Sequence, residues 1–369
     1  MGEIERQWLR GGRIAYAAKE AVDAFNLVER MLGAAWMKEH NTSGGAEVWG
    51  PGPTAAIVHM GRRLASLEGL AGVDDLVRRI QRNDESAPAE LTTIDLLRRD
   101  RSSVRVELGP NVMVDGGPRK PDLRVREATD DPWTYVEVTQ PDTSEAQERV
   151  ENVMGRVTAL VSEIRKSFSL EVFLRRTPTG TEVDVLITEA RRMCSSDGVV
   201  RVELPDGLGL LLLNQNQPGE IVLDDHGEPN VPRLGRAQAI GGGSEPHRHI
   251  GVRMAYADDR AERFFGREAK QLPTDAPGLI VIAMGRAPGG FKVWEPLIRR
   301  RFQPTINTRV SAVCLLGGAS ISTPEGEKRL NETKLLLNPH AAFPLPQWLA
   351  GALTKAGEEF QRYARLTTG

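Results

Sequence analysis

The chain has 369 residues, 40% of them apolar, with 48 Lys and Arg set against 50 Asp and Glu. That is enough for one large domain or two ordinary ones with a buried core, and it excludes a broadly disordered chain. The net charge of −2 leaves the partner class open, because a nucleic-acid binder needs its cations gathered locally and not in overall excess.

The opening stretch MGEIERQWLRGG is charged and lacks the apolar run of a secretion signal. Residues 1–40 read as helical, with Ala21, Phe25, Val28 and Leu32 at helical spacing. A Gly- and Pro-rich loop follows over 40–53, then two helices within 54–84 split by GLAG. Residues 1–85 thus form a helical N-terminal segment. SAPAELTTIDLLRRD predicts a short helix, with Ser86 as cap and Pro88 in its first turn. VRVEL (104–108), PDLRVRE (121–127) and WTYVEVTQ (133–140) alternate like strands. TSEAQERVENVMGRVTALVSEIRKSF opens with a capping box, Ser144 to Gln147, and carries a clean apolar stripe from Val150 to Ile164. LEVFLRR (170–176) and VDVLIT (183–188) read as strands, closing a core over 86–195.

Residues 196–245 read as a β-rich insertion and loop: VVRVELPDGLGLLLLN and GEIVLDD as strands, GEPNVPRLGRAQAIGGGSEP as loop. Residues 246–344 continue the sheet. HRHIGVRMAYA, GLIVIAM, RVSAVCLLGG and KLLLNP are strands there, and 258–272 and VWEPLIRRRFQ are helices. A C-terminal helix occupies 345–369, centred on Leu345 to Ala364. Strands alternating with helices predict an α/β fold, a mixed central sheet with flanking helices. No apolar run approaches the ~20 residues that span a bilayer. Cys194 and Cys314 are far apart and lack C-x-x-C spacing. A cytoplasmic protein with no membrane partner is expected.

The chemistry concentrates in the hairpin. A turn at Thr129–Asp131 places Asp122 across from Glu137, with Cβ atoms ~5 Å apart. Leu123, Val125, Val136 and Val138 then share the apolar face, and Asp122, Arg124, Tyr135, Glu137 and Thr139 share the other. Two opposed carboxylates need a cation, a raised pKa or open water. Magnesium suits them, since it takes oxygen ligands and keeps several waters. A solvated polar face is the commoner outcome for such a pair. Glu90 lies at i, i+4, i+7 with Ile94 and Leu97, so a third acid sits on or beside a buried stripe. The helix dipole accounts for a glutamate there equally well.

A helix with Glu90, the strand VRVEL, a strand with Pro121-Asp122, a strand with Glu137-Val138-Thr139, and then a long amphipathic helix and a further strand resemble the core of the PD-(D/E)XK nuclease superfamily. The resemblance covers about residues 86–190. It implies a restriction-endonuclease-like core, Mg2+ or Mn2+ as cofactor, and nucleic acid, DNA first, as partner. Asp122 and Glu137 would be metal ligands and Glu90 the helix acid. The family pattern places a lysine two residues after the glutamate, where this chain has Thr139, followed by Gln140. A substitute would come from Gln140, Lys120, Arg149, Arg156 or Lys166. The alternative is a catalytically degenerate nuclease-like fold that binds nucleic acid or protein without cutting.

Other motifs carry less. His247 and His249 share a strand face, but an H-x-H zinc site wants a third and fourth ligand, for which His226 and Glu245 are candidates, and ordinary surface or hydrogen-bonded histidines are the favoured reading. Arg299, Arg300 and Arg301, with Arg309 beyond, could grip phosphates, although consecutive helical arginines point in different directions and a solvated helix end is the favoured reading. GRAPGGF (285–291) and the glycines 241–243 lack a phosphate-loop ending and read as loops. Cys314 reads as core.

Overall fold

The computed structural model describes residues 14–41, 51–84, 86–99, 101, 103–141, 145–195, 199–215, 233–242, 245–255, 260–284, 290–323 and 325–368. The chain forms two compact units. One takes Met1–Pro141, Arg260–Arg286 and Glu295–Gly369, and the other takes Asp142–Asp259 and Ala287–Trp294. This partition cuts across the segments drawn from sequence, because the first unit gathers residues from both sides of the second.

In chain order the first unit begins with α1 (Ala18–Leu32) and α2 (Ala34–Asn41), separated by Gly33 at φ 93°. Then come α3 (Pro51–Ala65), α4 (Val73–Gln81) and α5 (Ala87–Arg98). Five short strands follow: β1 (Arg105–Leu108), β2 (Val112–Val114), β3 (Gly117–Arg119), β4 (Leu123–Arg126) and β5 (Thr134–Thr139). The second unit supplies α6 (Glu145–Ser162), β6 (Phe168–Leu174), α7 (Gly180–Cys194), β7 (Val199–Glu203), β8 (Gly209–Asn214), β9 (Arg233–Gly242) and β10 (Glu245–Ala255). The first unit resumes with α8 (Arg260–Ala269) and β11 (Gly278–Ala283). The helix α9 (Gly290–Arg299) runs across the sequence boundary between units, and β12 (Ala312–Thr323), β13 (Gly326–Leu337) and α10 (Gln347–Thr368) complete the chain.

Among the described residues two main sheets, with a separate two-stranded β2–β3 antiparallel ribbon, replace the single one expected. In the first unit six strands run in the order β1-β4-β5-β11-β12-β13, parallel through β5, β11 and β12 and antiparallel elsewhere. In the second unit five strands run β7-β8-β6-β10-β9, with only β6 and β10 parallel. Each sheet has its own core. Leu123, Val125, Val136, Val138, Leu279 and Val281 line one face of the larger sheet and pack with Leu91, Ile94 and Leu97 of α5 and with Leu349 and Leu353 of α10. Leu170, Val172, Leu211, Leu213, Ile250 and Val252 of the smaller sheet pack with the stripes of α6 and α7. Fully burying each such side chain contributes roughly 1.5–3 kcal/mol.

Four expectations need correction. Residues 183–188 are not a strand but lie inside α7. Thr179 and Glu182 form a reciprocal capping box, and Val183, Leu186, Ala190 and Met193 are buried at helical spacing. The stretch 233–242, read as loop, is β9, made a strand by its pairing with β10. The last strand begins well before KLLLNP, at Gly326, because β13 pairs along the whole of β12. Ser86 does not cap α5 with its side chain; its hydroxyl donates to Asp84 and Glu90 instead. Ser144, His226 and the segments GEIVLDD (219–225) and GRAPG (285–289) lie outside the described residues. Among the described residues no helix is long and apolar enough to cross a membrane.

Candidate active site

The hairpin register places Leu123 opposite Val136, Arg124 opposite Tyr135 and Val125 opposite Thr134. One step further would set Asp122 opposite Glu137, as the alternation predicts. The ladder stops first, because the chain bends at Asp122. The Asp122 carbonyl accepts from the Gly109 N–H at 2.8 Å, and its carboxylate Oδ2 accepts from the Val138 N–H at 2.7 Å. The side chain therefore takes the place of the missing ladder partner of Val138. It is held by the sheet itself, which fixes its direction.

Glu137 is 5% exposed and shares a hydrogen bond with Asp122. Burial first, and then the charges of Asp122 and Glu268, push its carboxyl up to about 10. At neutral pH it is therefore a carboxylic acid that donates to the Asp122 carboxylate, and one proton serves two carboxyls. Its Oε1 is buried without a hydrogen-bond partner among the described residues. Burial also raises Asp122, against the lowering effect of the Val138 N–H and the Glu137 hydroxyl.

Glu90, from the first turn of α5, is 5% exposed. Arg79 of α4 pairs with it, and the Ser86 hydroxyl donates to it at 3.4 Å. Burial and the nearby Asp122 charge outweigh Arg79 and lift its carboxyl to about 7. The sequence reading missed a fourth acid, Glu268 of α8. It is 7% exposed, and its charge acts on both Asp122 and Glu137. Its signal was legible: Ala261, Phe264 and Phe265 mark the buried stripe of α8, and Glu268 falls on it at the same spacing that drew notice to Glu90.

Thr139 lies one residue pair along the same face as Glu137, the face that α8 covers. Its hydroxyl accepts from the Arg267 guanidinium at 3.0 Å, while Arg267 also pairs with Glu268 at 2.6 Å and lies 4.6 Å over the Phe264 ring. A cation thus reaches the Thr139 position from another helix. Lys120 has a second approach. Gly109 has φ +55°, and a Cβ there would lie 2.5 Å from the Lys120 Cε, so the bare glycine lets the lysine stem cross it. Lys120 lines a cleft of about 250 Å³ together with Arg79, Glu90 and Asp122.

The remaining candidates fall elsewhere. Gln140 follows β5 and has no hydrogen bond to these acids among the described residues. Arg149, Arg156 and Lys166 belong to the second unit, where Arg156 pairs with Asp184 at 2.7 Å. His249 lies 3.9 Å from the buried Glu171, and the His247 N–H donates to Ser167. Arg299 pairs with Glu295 and Arg300 turns back to the Pro296 carbonyl, so the arginine run does diverge. Cys314 is fully buried in the core, its thiol pushed up to about 12 by burial.

Among the described residues no three His, Cys, Asp or Glu side chains form a ready-made metal cage. The pair Asp122 and Glu137 suits a cation held by one or two carboxylates with water completing its shell, the habit of magnesium. The orphaned Glu137 Oε1 and the shared proton are what a divalent ion would relieve. No family model matches the chain, and no curated protein matches it significantly.

Proposed function

We propose that the chain is a metal-dependent nuclease with a restriction-endonuclease-like core, cleaving phosphodiester bonds in nucleic acid, DNA first. The observation that carries this reading is the Asp122–Glu137 pair: two carboxyls joined by a shared hydrogen bond, with Asp122 held by the Val138 N–H and with Glu90 and Lys120 lining the adjoining cleft. When bound, Mg2+ or Mn2+ would polarise the phosphate and lower the pKa of a coordinated water. Asp122, held rigidly by the sheet, and Glu137, once deprotonated, would be its ligands.

The chain's own groups supply the rest. Lys120, which lines the same cleft, would balance negative charge developing on a phosphate, the electrostatic task a lysine performs in the PD-(D/E)XK pattern. Glu90, poised near neutrality, can accept or return a proton within the cleft. Arg79 holds Glu90 in place. A plasmid-cleavage assay with magnesium tests this. Cleavage by the wild type, lost in Asp122→Ala and reduced at least tenfold in Lys120→Ala, is expected; a well-folded wild type that leaves plasmid intact with magnesium and with manganese contradicts it.

One observation favours a second reading, a degenerate fold that binds without cutting. Thr139 is engaged by Arg267, and Arg267 is paired with Glu268, so the position beside the acids is already neutralised from within the protein. Binding of DNA without cleavage under any divalent ion is the outcome that selects it.

A further inference from the structure

A larger cleft, about 890 Å³, lies in the same unit. Its walls are α8, the end of the β2–β3 hairpin and the segment 301–309. Six cations line it: Arg119, Arg263, Arg267, Lys270, Arg301 and Arg309. Among the described residues no carboxylate lines it, and this gathering is hidden in a chain whose net charge is −2.

The walls are built. Arg309 pairs with Asp115 at 3.0 Å, tying the hairpin to the segment, and donates to the Leu272 carbonyl at 3.2 Å. The Asn307 amide donates to the Arg301 carbonyl at 3.0 Å, and the Asn338 amide donates to the Asn307 carbonyl at 3.3 Å. Asp115 and Gly116, both at positive φ, make the two-residue turn that sets the hairpin. Arg119, Arg263 and Lys270 are exposed and have no ion-pair partner among the described residues. These three cations, gathered beside the paired Arg267 and Arg309, repel one another, and a ligand carrying several anionic groups relieves that repulsion.

The cleft also adjoins the acids through shared chain. Arg119 lines it while the next residue, Lys120, lines the smaller cleft with Asp122. Arg267 lines it while the next residue, Glu268, acts on Asp122 and Glu137. We infer that this cleft seats the phosphodiester backbone of a polynucleotide and leads it to the acid pair. The inference rests on the nuclease reading for its substrate but not for its test. A run of phosphates fits better than a single anion, because the cations come from three separate chain segments. Arginine forks suit phosphate oxygens.

The test is fluorescence anisotropy on the full chain in EDTA, where nothing is cut. The probes are labelled duplex DNA, single-stranded DNA and RNA, with heparin, inorganic polyphosphate and poly-glutamate as competitors. Arg263→Gln with Lys270→Gln is compared with Arg299→Gln with Arg300→Gln, which removes equal charge outside the cleft; circular dichroism checks the fold of both. Polynucleotide binding that weakens at least about tenfold in the cleft variant, with a salt slope shallower by about two, is expected. The control variant should bind nearly as the wild type does. Equal weakening in both variants, no binding by the wild type, or competitors that bind as tightly as the polynucleotide would overturn it; tighter poly-glutamate binding would assign the cleft to an acidic protein segment. Binding through the cleft with no cleavage under magnesium defeats the nuclease reading alone. Cleavage with cleft variants that bind normally defeats this inference alone.

Discussion

Glu137 shows how a single position can be costly and useful together. Its carboxyl sits in a strand at 5% exposure, raised to about 10 against the ordinary 4.5. The folded protein therefore keeps a proton that the unfolded chain loses above pH 4.5, so stability falls as pH rises from there toward 10. Glu90, raised to about 7, and Asp122, also raised, act in the same direction. In EDTA, Glu137→Gln should flatten this slope and exceed the wild type at pH 8 by on the order of 1–3 kcal/mol, read from urea unfolding at pH 5 and pH 8. An identical slope in both proteins would contradict the assignment. Thr139→Val removes the acceptor for Arg267 and should cost about 1 kcal/mol, measured the same way.

At the scale of elements, the β4–β5 hairpin was legible because its period-two alternation and short connection fix which residues oppose. The stripe that exposed Glu90 would have exposed Glu268 by the same count. Other features had no local trace. The Thr139–Arg267 bond joins residues 128 apart, and β9 is a strand only because β10 pairs with it. Residues 183–188 misled because their β-branched side chains imitate a strand, whereas the decisive signal, Thr179 with Glu182, lies just upstream. Gly109 is the element-level prediction. A Cβ there meets the Lys120 stem, and the backbone sits at positive φ, so Gly109→Ala should lose roughly 1–2 kcal/mol in a denaturation curve and displace Lys120 from its cleft.

For the whole molecule, the division into two units with two separate cores predicts unfolding that departs from a single two-state transition. Leu170→Ala opens a cavity in the core of the second unit and should destabilise it by about 2–5 kcal/mol. In calorimetry that variant should shift one part of the transition and leave the rest in place; a uniform shift would show that the units unfold together. The same division explains why the element order alone suggested one continuous core. The six-stranded sheet is completed by β11, β12 and β13, which arrive only after the second unit has been inserted.

The most direct measurement is calorimetric titration of the full chain with Mn2+ and Mg2+, comparing wild type with Asp122→Asn and Glu137→Gln at pH 6 and pH 8. Binding by the wild type that tightens at pH 8, releases a proton, and is lost in both variants is the predicted result, since the ion must displace the proton the two carboxyls share. A folded wild type that takes up neither ion, or variants that bind as the wild type does, would mean that Asp122 and Glu137 are a structural carboxyl pair and that the chain's chemistry lies elsewhere.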